Sequence, residues 1–251
     1  DMEWINSFAN GDIAKGLSTG TPLDKNFLFK KEFTIINGHS NVGKTTMAMY
    51  LIVTSAVRHG WKWIIYSSEN KTAAVKMKLM EFLVDIPISQ MHYEERVSAY
   101  KWVNDHFTVI SNAEVYSYTD LIVFAEKLLK QNKFDGFLID PYNSLKITMS
   151  NGNGLSSHEY HYEAASELLT FSNANNIAVW LNTHAITEAA RNRMEVHVRK
   201  VRSQETGGTP TSLDQPILFE MNASRTGFRC FPMGEKSFKP LSLDSGKFDL
   251  S

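Results

Sequence analysis

The sequence predicts an α/β fold: a mostly parallel twisted sheet with helices on both faces, followed by late antiparallel strands. Short, nearly continuous apolar runs alternate with longer segments whose apolar residues recur at helical spacing. This alternation is typical of parallel strands that are buried on both faces. A glycine-rich segment, residues 38–45, joins the first apolar run to a long apolar helix.

The predicted strands are short apolar runs, and the segments between them are predicted helices. The strands cover residues 33–37, 64–68, 107–110, 137–139, 177–181, 217–221 and 228–231. The first helix runs from residue 46 to the stop signal Arg58-His59-Gly60, and the others cover residues 72–84, 88–104, 119–131 and 156–173. A capping box, Ser156-x-x-Glu159, marks the start of the last helix. Residues 148–155 and 186–212 are predicted to be the least structured.

Composition narrows the class of protein. With 251 residues, 43% of them hydrophobic, the chain can form one large domain with a sizeable core, or two small ones. The formal net charge of −1 gives no bulk basic character, so nucleic-acid binding would depend on a local patch. The single Cys230 excludes an internal disulfide and suits a reducing compartment. No run approaches the ~20 apolar residues that a membrane span needs.

Residues 38–45 fit the phosphate-binding pattern G-x-x-x-x-G-K-[ST]. The glycines allow backbone N–H groups to face a phosphate, and the N-terminus of the following helix favours an anion. Lys44 is expected to pair with the β- and γ-phosphates, and the Thr45 hydroxyl to bind Mg²⁺. ATP and Mg²⁺ are therefore the expected cofactors. The predicted nucleotide-binding residues here are Gly38, Ser40, Asn41, Val42, Gly43, Lys44, Thr45 and Thr46.

Three later strands end in residues that suit this chemistry. Asp140 ends an apolar strand, which predicts a carboxylate that holds Mg²⁺ through water; a turn cap before Pro141 is the alternative. Glu69 closes the second strand, where it could orient the attacking water or be a surface loop residue. His184 ends the fifth strand, where it could contact the γ-phosphate or be structural.

Two other patterns are interpreted as structural. His158-Glu159-Tyr160-His161 lacks the spacing of a zinc-binding HExxH motif and is expected to be the polar face of a helix. The aromatic residues Trp61, Trp63 and Tyr66 are expected to pack in the core rather than stack on bases.

Together these segments resemble RecA-fold replicative DNA helicases of the DnaB/Twinkle/phage primase-helicase family, over about residues 15–232. The matching segments are Gly16–Asp24, Gly38–Thr46, Ser67–Asn70, Ile139–Asn143, Asn182–His184 and Ser224–Gly227. The resemblance implies a RecA-like P-loop NTPase fold, with a lead-in or linker over residues 1–24 and an ATPase/helicase domain over residues 25–251. It also implies that the chain is either an excised helicase domain or a stand-alone one.

The resemblance further implies that ATP is hydrolysed at the subunit interfaces of a ring, expected to be a hexamer. The expected location is the cytoplasm of a bacterium, as a phage protein in its host or a bacterial protein, with the mitochondrial matrix as the less favoured alternative. Glu69 would be the catalytic base and His184 the γ-phosphate sensor. Arg225 would be the arginine finger for the neighbouring subunit, with Arg229 as the other choice. A primase domain or protein is an expected partner.

The densest positive stretch, residues 191–202, follows the fifth strand and contains a single acidic residue, Glu195. In the family, loops at this place line the ring channel and contact single-stranded DNA. The alternatives are a solvated helix face or a disordered loop. The predicted DNA-binding residues are Arg191, Arg193, Arg199, Lys200 and Arg202.

Two other functions stay open from the sequence. A RecA-like recombinase or single-strand annealing ATPase would use ATP to assemble on single strands rather than to unwind duplex. A KaiC-like regulatory ATPase would act on protein partners. Strand displacement on a forked duplex separates the first from a helicase, and stimulation of ATP turnover by single strands separates the second from both.

Overall fold

The structure is a computed structural model that describes residues 2–10, 16–38, 42–147, 157–184, 193–196, 198, 211, 216–222 and 224–231. Five parallel strands form the main sheet in the spatial order β1-β5-β4-β2-β3. These strands are β1 (Phe33–Gly38), β2 (Trp63–Ser67), β3 (Phe107–Ile110), β4 (Gly136–Asp140) and β5 (Ala178–His184). The parallel sheet predicted from the apolar runs is therefore confirmed, with β5 inserted between β1 and β4.

Helices cover both faces of this sheet. They are α2 (Lys44–His59), α3 (Thr72–Val84), α4 (Tyr93–His106), α5 (Tyr118–Gln131) and α6 (Ser157–Asn175), and one further helix, α1 (Met2–Ala9), precedes them in the chain. One apolar cluster joins the sheet to α2, α3 and α4, and a second joins it to α5 and α6. Successive residues of β2 alternate between the two clusters, as the two-residue period of a strand requires: Ile65 packs in the first and Ile64 in the second.

An aromatic group fills the first cluster. Trp61 and Trp63 of this cluster, and Tyr66 of the second cluster, are at most 5% exposed, which confirms their prediction as core residues. The Trp63 ring lies 5.0 Å from that of Trp180, between ring centroids, and it covers Gly136 in the neighbouring strand. A Cβ at Gly136 would lie 2.5 Å from Trp63 ring atoms, so this position requires glycine.

A second, antiparallel sheet follows in the order β6-β7-β8, made of β6 (Arg193–Val196), β7 (Ile217–Met221) and β8 (Phe228–Phe231). Phe219 and Phe228 bury this sheet against the α2 side of the main sheet, and the Phe228 ring lies 5.3 Å from that of Tyr50. The predicted strands at 217–221 and 228–231 are confirmed.

The strand β6 corrects the prediction that residues 186–212 are among the least structured. Residues Arg193–Val196 pair with β7, so neither a helix face nor a disordered loop describes this part of the basic stretch. Just beyond, Thr211 N donates to Val198 O at 3.0 Å, so this pair brackets residues 199–210. Arg191, Arg199, Lys200 and Arg202 lie outside the described residues, as does the side chain of Arg193.

The single helix predicted over residues 88–104 is also wrong in detail. A short 3₁₀ turn, Ile88–Gln90, comes first, and α4 begins only at Tyr93. The backbone is extended at Met91 and His92, and the Glu95 carboxylate accepts the His92 N–H at 2.8 Å. This cap at the helix N-terminus sets the boundary.

The segment before β1 packs on the same body as the main sheet. The Asp24 carboxylate accepts hydrogen bonds from the Thr19 N–H at 2.7 Å and the Thr19 hydroxyl at 2.6 Å. Leu23 is 3% exposed in the first apolar cluster, and Leu17 bridges to Phe29. The division at residue 24 stays a prediction. Within the described ranges, none of the helices has both the length and the apolar character needed to span a membrane.

Candidate active site

All five parallel strands of the main sheet end at one edge, where the N-terminus of α2 also lies. Parallel strands place their carboxyl ends together, and open α/β sheets bind ligands at such an edge. The structure brings five of the predicted residues to this place: Lys44, Thr45, Glu69, Asp140 and His184.

The start of α2 is suited to an anion. Gly43 is the N-cap residue at φ 92°, no side chain caps the helix, and its first turn contains no acidic residue. The first N–H groups of such a helix point towards an anion and carry partial positive charge. Of the other predicted P-loop residues, Val42 and Thr46 flank this start, whereas Ser40 and Asn41 lie outside the described residues.

Lys44 is folded back against the sheet edge and is 7% exposed. Its Nζ donates to Gly38 O at 2.7 Å and lies 3.2 Å from Nδ1 of His184. Burial lowers the pKa of the Lys44 ammonium, while the carboxylates of Asp140 and then Glu69 act in the opposite direction. A cation that is partly desolvated beside carboxylates is well placed to exchange these contacts for phosphate oxygens.

Asp140 is the buried carboxylate of the site, only 1% exposed. Its Oδ1 accepts hydrogen bonds from Thr45 Oγ1 at 2.9 Å and from Asn182 Nδ2 at 2.7 Å. Its Oδ2 is buried without a hydrogen-bond partner within the described residues. Burial raises the pKa of the Asp140 carboxyl, and the bonds from Asn182 and Thr45 oppose that rise.

This donor set fits Mg²⁺. A hydroxyl beside a buried carboxylate with an unpartnered oxygen offers the hard oxygen ligands that Mg²⁺ prefers. The described parts of the chain contain no cluster of three or more His, Cys, Asp or Glu side chains that could hold a metal alone. Phosphate oxygens and water would therefore complete the coordination, as is usual for Mg²⁺.

Glu69 and His184 face one another across the site. Glu69 Oε1 lies 3.7 Å from His184 Nε2, and the side chains are 57% and 30% exposed, respectively. The His184 N–H donates to Asn143 Oδ1 at 2.7 Å, which ties the end of β5 to the turn after β4. The structure thus places an accessible carboxylate and an imidazole beside Lys44.

Arg225 lies elsewhere, at the turn between β7 and β8. It is exposed, with a positive φ of 59°, and its backbone oxygen accepts Lys78 Nζ at 2.5 Å. The neighbouring Thr226 hydroxyl donates to Asp85 Oδ1 at 2.8 Å. The two residues that anchor this turn are Lys78, within α3, and Asp85, at its C-terminal end. Because a helix rises 1.5 Å per residue, they lie about 9 and about 20 Å along the helix axis from the start of α3 beside Glu69. The other candidate, Arg229, is in β8, and its side chain lies outside the described residues.

Three asparagines near the site were not assigned roles from the sequence. Asn182 bonds Asp140, Asn143 bonds the His184 backbone, and Asn112 bonds the turn that carries Glu69. Asn182 and Asn143 lie inside two of the sequence segments that mark the site, Asn182–His184 and Ile139–Asn143, so their position in the sequence could have indicated a role. Asn112 follows a short strand with no motif around it, so nothing in the sequence pointed to it.

The HExH pattern, which lacks zinc-site spacing, falls in α6, and Nδ1 of His161 lies 2.8 Å from the Tyr142 hydroxyl. The predicted cap residue of that helix, Ser156, lies outside the described residues.

Comparisons with known proteins found relatives in sequence and in fold. A Twinkle homolog protein, chloroplastic/mitochondrial, of Arabidopsis thaliana is 27% identical over 183 residues, which cover 67% of this chain and 25% of that protein. The chain therefore spans about a quarter of the length of this curated relative. No protein-family model matches the chain.

Two solved structures share the fold. One, an ATPase domain, has a TM-score of 0.71 at 11% identity, covering 90% of this chain and 96% of that one. The other, a DnaB-like replicative helicase described with its interactions with primase, has a TM-score of 0.63 at 12% identity, covering 90% of this chain and 65% of that one. The chain has the RecA-like ATPase fold, and its predicted resemblance to the DnaB/Twinkle helicases is confirmed.

Proposed function

We propose that this chain, with the RecA-like fold of DnaB/Twinkle-type ATPase domains, is the motor domain of a ring-forming replicative DNA helicase. It hydrolyses ATP at subunit interfaces to translocate on single-stranded DNA and unwind duplex. The observation that carries the proposal is the convergence of Lys44, Thr45, Asp140, Glu69 and His184 at one sheet edge.

Binding of the nucleotide rests on α2 and β4. The uncapped start of α2 and the Lys44 ammonium attract the phosphates, since a helix N-terminus and a point charge both stabilise anions. Thr45 and Asp140 would hold Mg²⁺, which would neutralise charge on the phosphates during phosphoryl transfer. Asn182 holds Asp140 Oδ1, so the carboxylate keeps one orientation.

Hydrolysis rests on Glu69 and His184. Glu69 ends β2 with more than half of its side chain exposed, so its carboxylate can accept a hydrogen bond from the attacking water and orient it. His184 lies next to both Glu69 and Lys44, where a ring N–H can contact the γ-phosphate and lose that contact after hydrolysis. Loops attached near β5 then respond to the loss of the phosphate.

The site is completed by a second copy of the chain. Arg225 is exposed on a turn anchored along α3, on the side that leads away from Lys44. That placement supports a finger acting in trans. Where such a finger has been measured in other NTPases, it contributes about 10³–10⁵ in rate.

Contact with DNA is proposed for the basic stretch 191–202. This stretch includes β6, and its last residues belong to the segment 199–210. A backbone hydrogen bond joins Val198 and Thr211, the residues that flank this segment. Because β6 is antiparallel to β7, Arg193 pairs with Glu220 near the turn that carries Arg225, whereas Val196 pairs with Ile217 at the other end of β7. The net charge of −1 is compatible with this, because only the groove that follows the strand must be positive.

The same proposal includes a hexameric ring, a primase partner and a cytoplasmic setting. The DnaB-like structure with primase interactions supports the primase partner by analogy, whereas the Twinkle homolog is chloroplastic/mitochondrial and gives no support to the cytoplasmic setting.

ATP turnover measured with and without single-stranded DNA tests this function. We expect Mg²⁺-dependent turnover that single strands stimulate. Turnover without any stimulation would contradict the DNA-dependent function and would favour a regulatory ATPase whose partners are proteins.

A further inference from the structure

Asn112 holds the turn that carries Glu69. It follows β3, the neighbour of β2 in the main sheet, and is half-buried. Its Nδ2 donates to Ser68 O at 3.2 Å and to Asn70 O at 3.1 Å. These two carbonyls flank Glu69 on either side, so one side-chain amide clamps the backbone of the proposed catalytic base.

The chemistry of this clamp requires an amide. Both partners are carbonyl oxygens, which only accept hydrogen bonds, so the NH₂ end of Asn112 must face them. A primary amide has two N–H bonds on one nitrogen and can serve both carbonyls at once. A carboxylate of the same size has no hydrogen to donate and would repel both oxygens.

Other contacts fix the same turn from the opposite side. The Ser68 N–H donates to Asp140 O at 3.1 Å, and the Ser68 hydroxyl is hydrogen-bonded to that of Ser144 after β4. The turn is thus attached to β4 through Ser68 and to the end of β3 through Asn112. Because the Glu69 side chain is largely exposed, its position is set mainly by its backbone.

We propose that Asn112 is a positioning residue that keeps the Glu69 carboxylate at the place where it orients the attacking water. This inference rests on the proposed function, in which Glu69 has that role. Asn112 lies outside the Lys44, Thr45 and Asp140 group that binds the nucleotide, so its loss acts on turnover and not on binding. A displacement of about 1 Å in a catalytic group can reduce a rate by about a hundredfold.

Single-turnover ATP hydrolysis by Asn112→Ala and Asn112→Asp tests the inference, alongside the affinity for a fluorescent ATP analogue and the thermal unfolding midpoint. The control is Asn175→Ala, because Asn175 Nδ2 also donates to a backbone carbonyl, that of Phe171 at 2.9 Å, but inside α6. We expect both Asn112 variants to lose about tenfold to a hundredfold in rate with unchanged analogue affinity. The control should keep the parental rate.

A double-mutant cycle gives the decisive result. If Asn112 acts through Glu69, Asn112→Ala should reduce the rate little further in a Glu69→Ala background, because two changes in one unit are not additive. An equal loss in both backgrounds, or a parental rate in both Asn112 variants while Glu69→Ala is slow, would overturn the positioning role alone. A parental rate in Glu69→Ala itself would instead overturn the proposed role of Glu69, and the inference with it.

Discussion

Thr45, in the first turn of α2, donates a hydrogen bond of 2.9 Å to Asp140 at the end of β4. The bond joins the P-loop to the carboxylate of a strand that is not adjacent to β1, because β5 lies between them. Asn182 of that intervening strand donates to the same oxygen. The pair proposed to bind Mg²⁺ is therefore organised within one chain, whereas Arg225, the proposed finger, lies on a turn away from this pair.

Asp140→Asn should separate stability from activity. The native state buries the Asp140 carboxylate, and its Oδ2 has no hydrogen-bond partner in the described structure, so a neutral amide removes an unfavourable charge. We expect the unfolding midpoint at pH 7 to rise by roughly 2–4 °C, the shift that 1 kcal/mol gives in a domain of this size, while ATP turnover is lost. Calorimetry and an ATPase assay on the same preparation measure both.

The same substitution should alter the pH dependence of stability. Folding raises the pKa of Asp140 above its ordinary value of 3.8, so the native state binds this proton more tightly than the unfolded chain does. The proton on Asp140 therefore adds to the free energy of unfolding. This addition is fully present below pH 3.8 and is lost as the pH rises through the higher pKa of the native state. The rise in the unfolding midpoint that Asp140→Asn causes should therefore be smallest at low pH. A gain that does not change with pH would contradict this origin.

Lys44→Ala should abolish hydrolysis with the fold intact. The ammonium is the positive side chain at the start of α2, and removing one such stabilising group reduces rates by about 10²–10³. Lys76→Ala is the matched control, since Lys76 on α3 donates to Asn104 at 2.6 Å on the exposed surface. Circular dichroism should show both variants folded. Retained hydrolysis in Lys44→Ala would place the nucleotide site elsewhere.

Mixing subunits should show whether Arg225 acts in trans. Arg225→Ala and Glu69→Ala subunits should each be inactive alone, because each lacks one half of every interface site. Mixed rings contain some interfaces with an intact Glu69 on one side and an intact Arg225 on the other, so turnover should partly return. Arg96→Ala, on α4, is a control that should keep turnover without mixing. Absence of any rescue would mean a finger in cis or a different arginine.

Gly136→Ala tests the packing of the main sheet. A Cβ there would lie 2.5 Å from the fully buried Trp63 ring, and overpacking of this kind costs about 3 kcal/mol. Gly60→Ala is the comparison: its φ of 69° disfavours alanine by about 1 kcal/mol, but no heavy atom lies within 4 Å of a Cβ there. Urea unfolding followed by tryptophan fluorescence should rank the two in that order. Equal losses would contradict the close Trp63–Gly136 contact.

Much of the fold and of the site could be predicted from the sequence, because both depend on local patterns. Apolar runs ending in Glu69, Asp140 and His184 placed these residues at one edge as soon as the strands were taken to be parallel. The α3 bounds and the two late strands likewise follow from periodicity and flanking residues.

What could not be predicted depends on contacts between distant parts of the chain. The alternation in Arg193-Met194-Glu195-Val196 is only four residues long and lies among basic residues, so β6 is set by pairing with β7. The insertion of β5 between β1 and β4 is a tertiary choice. Asn112 reaches Ser68 and Asn70 across more than forty residues of sequence, and no local pattern marks such a bond.

Strand displacement on a forked DNA duplex is the decisive measurement of the proposed helicase function. We predict that the chain, assembled with ATP and Mg²⁺, separates the strands, and that Lys44→Ala does not although it remains folded. ATP-dependent pairing of complementary strands without unwinding would contradict the helicase function and would identify a recombinase or annealing ATPase instead.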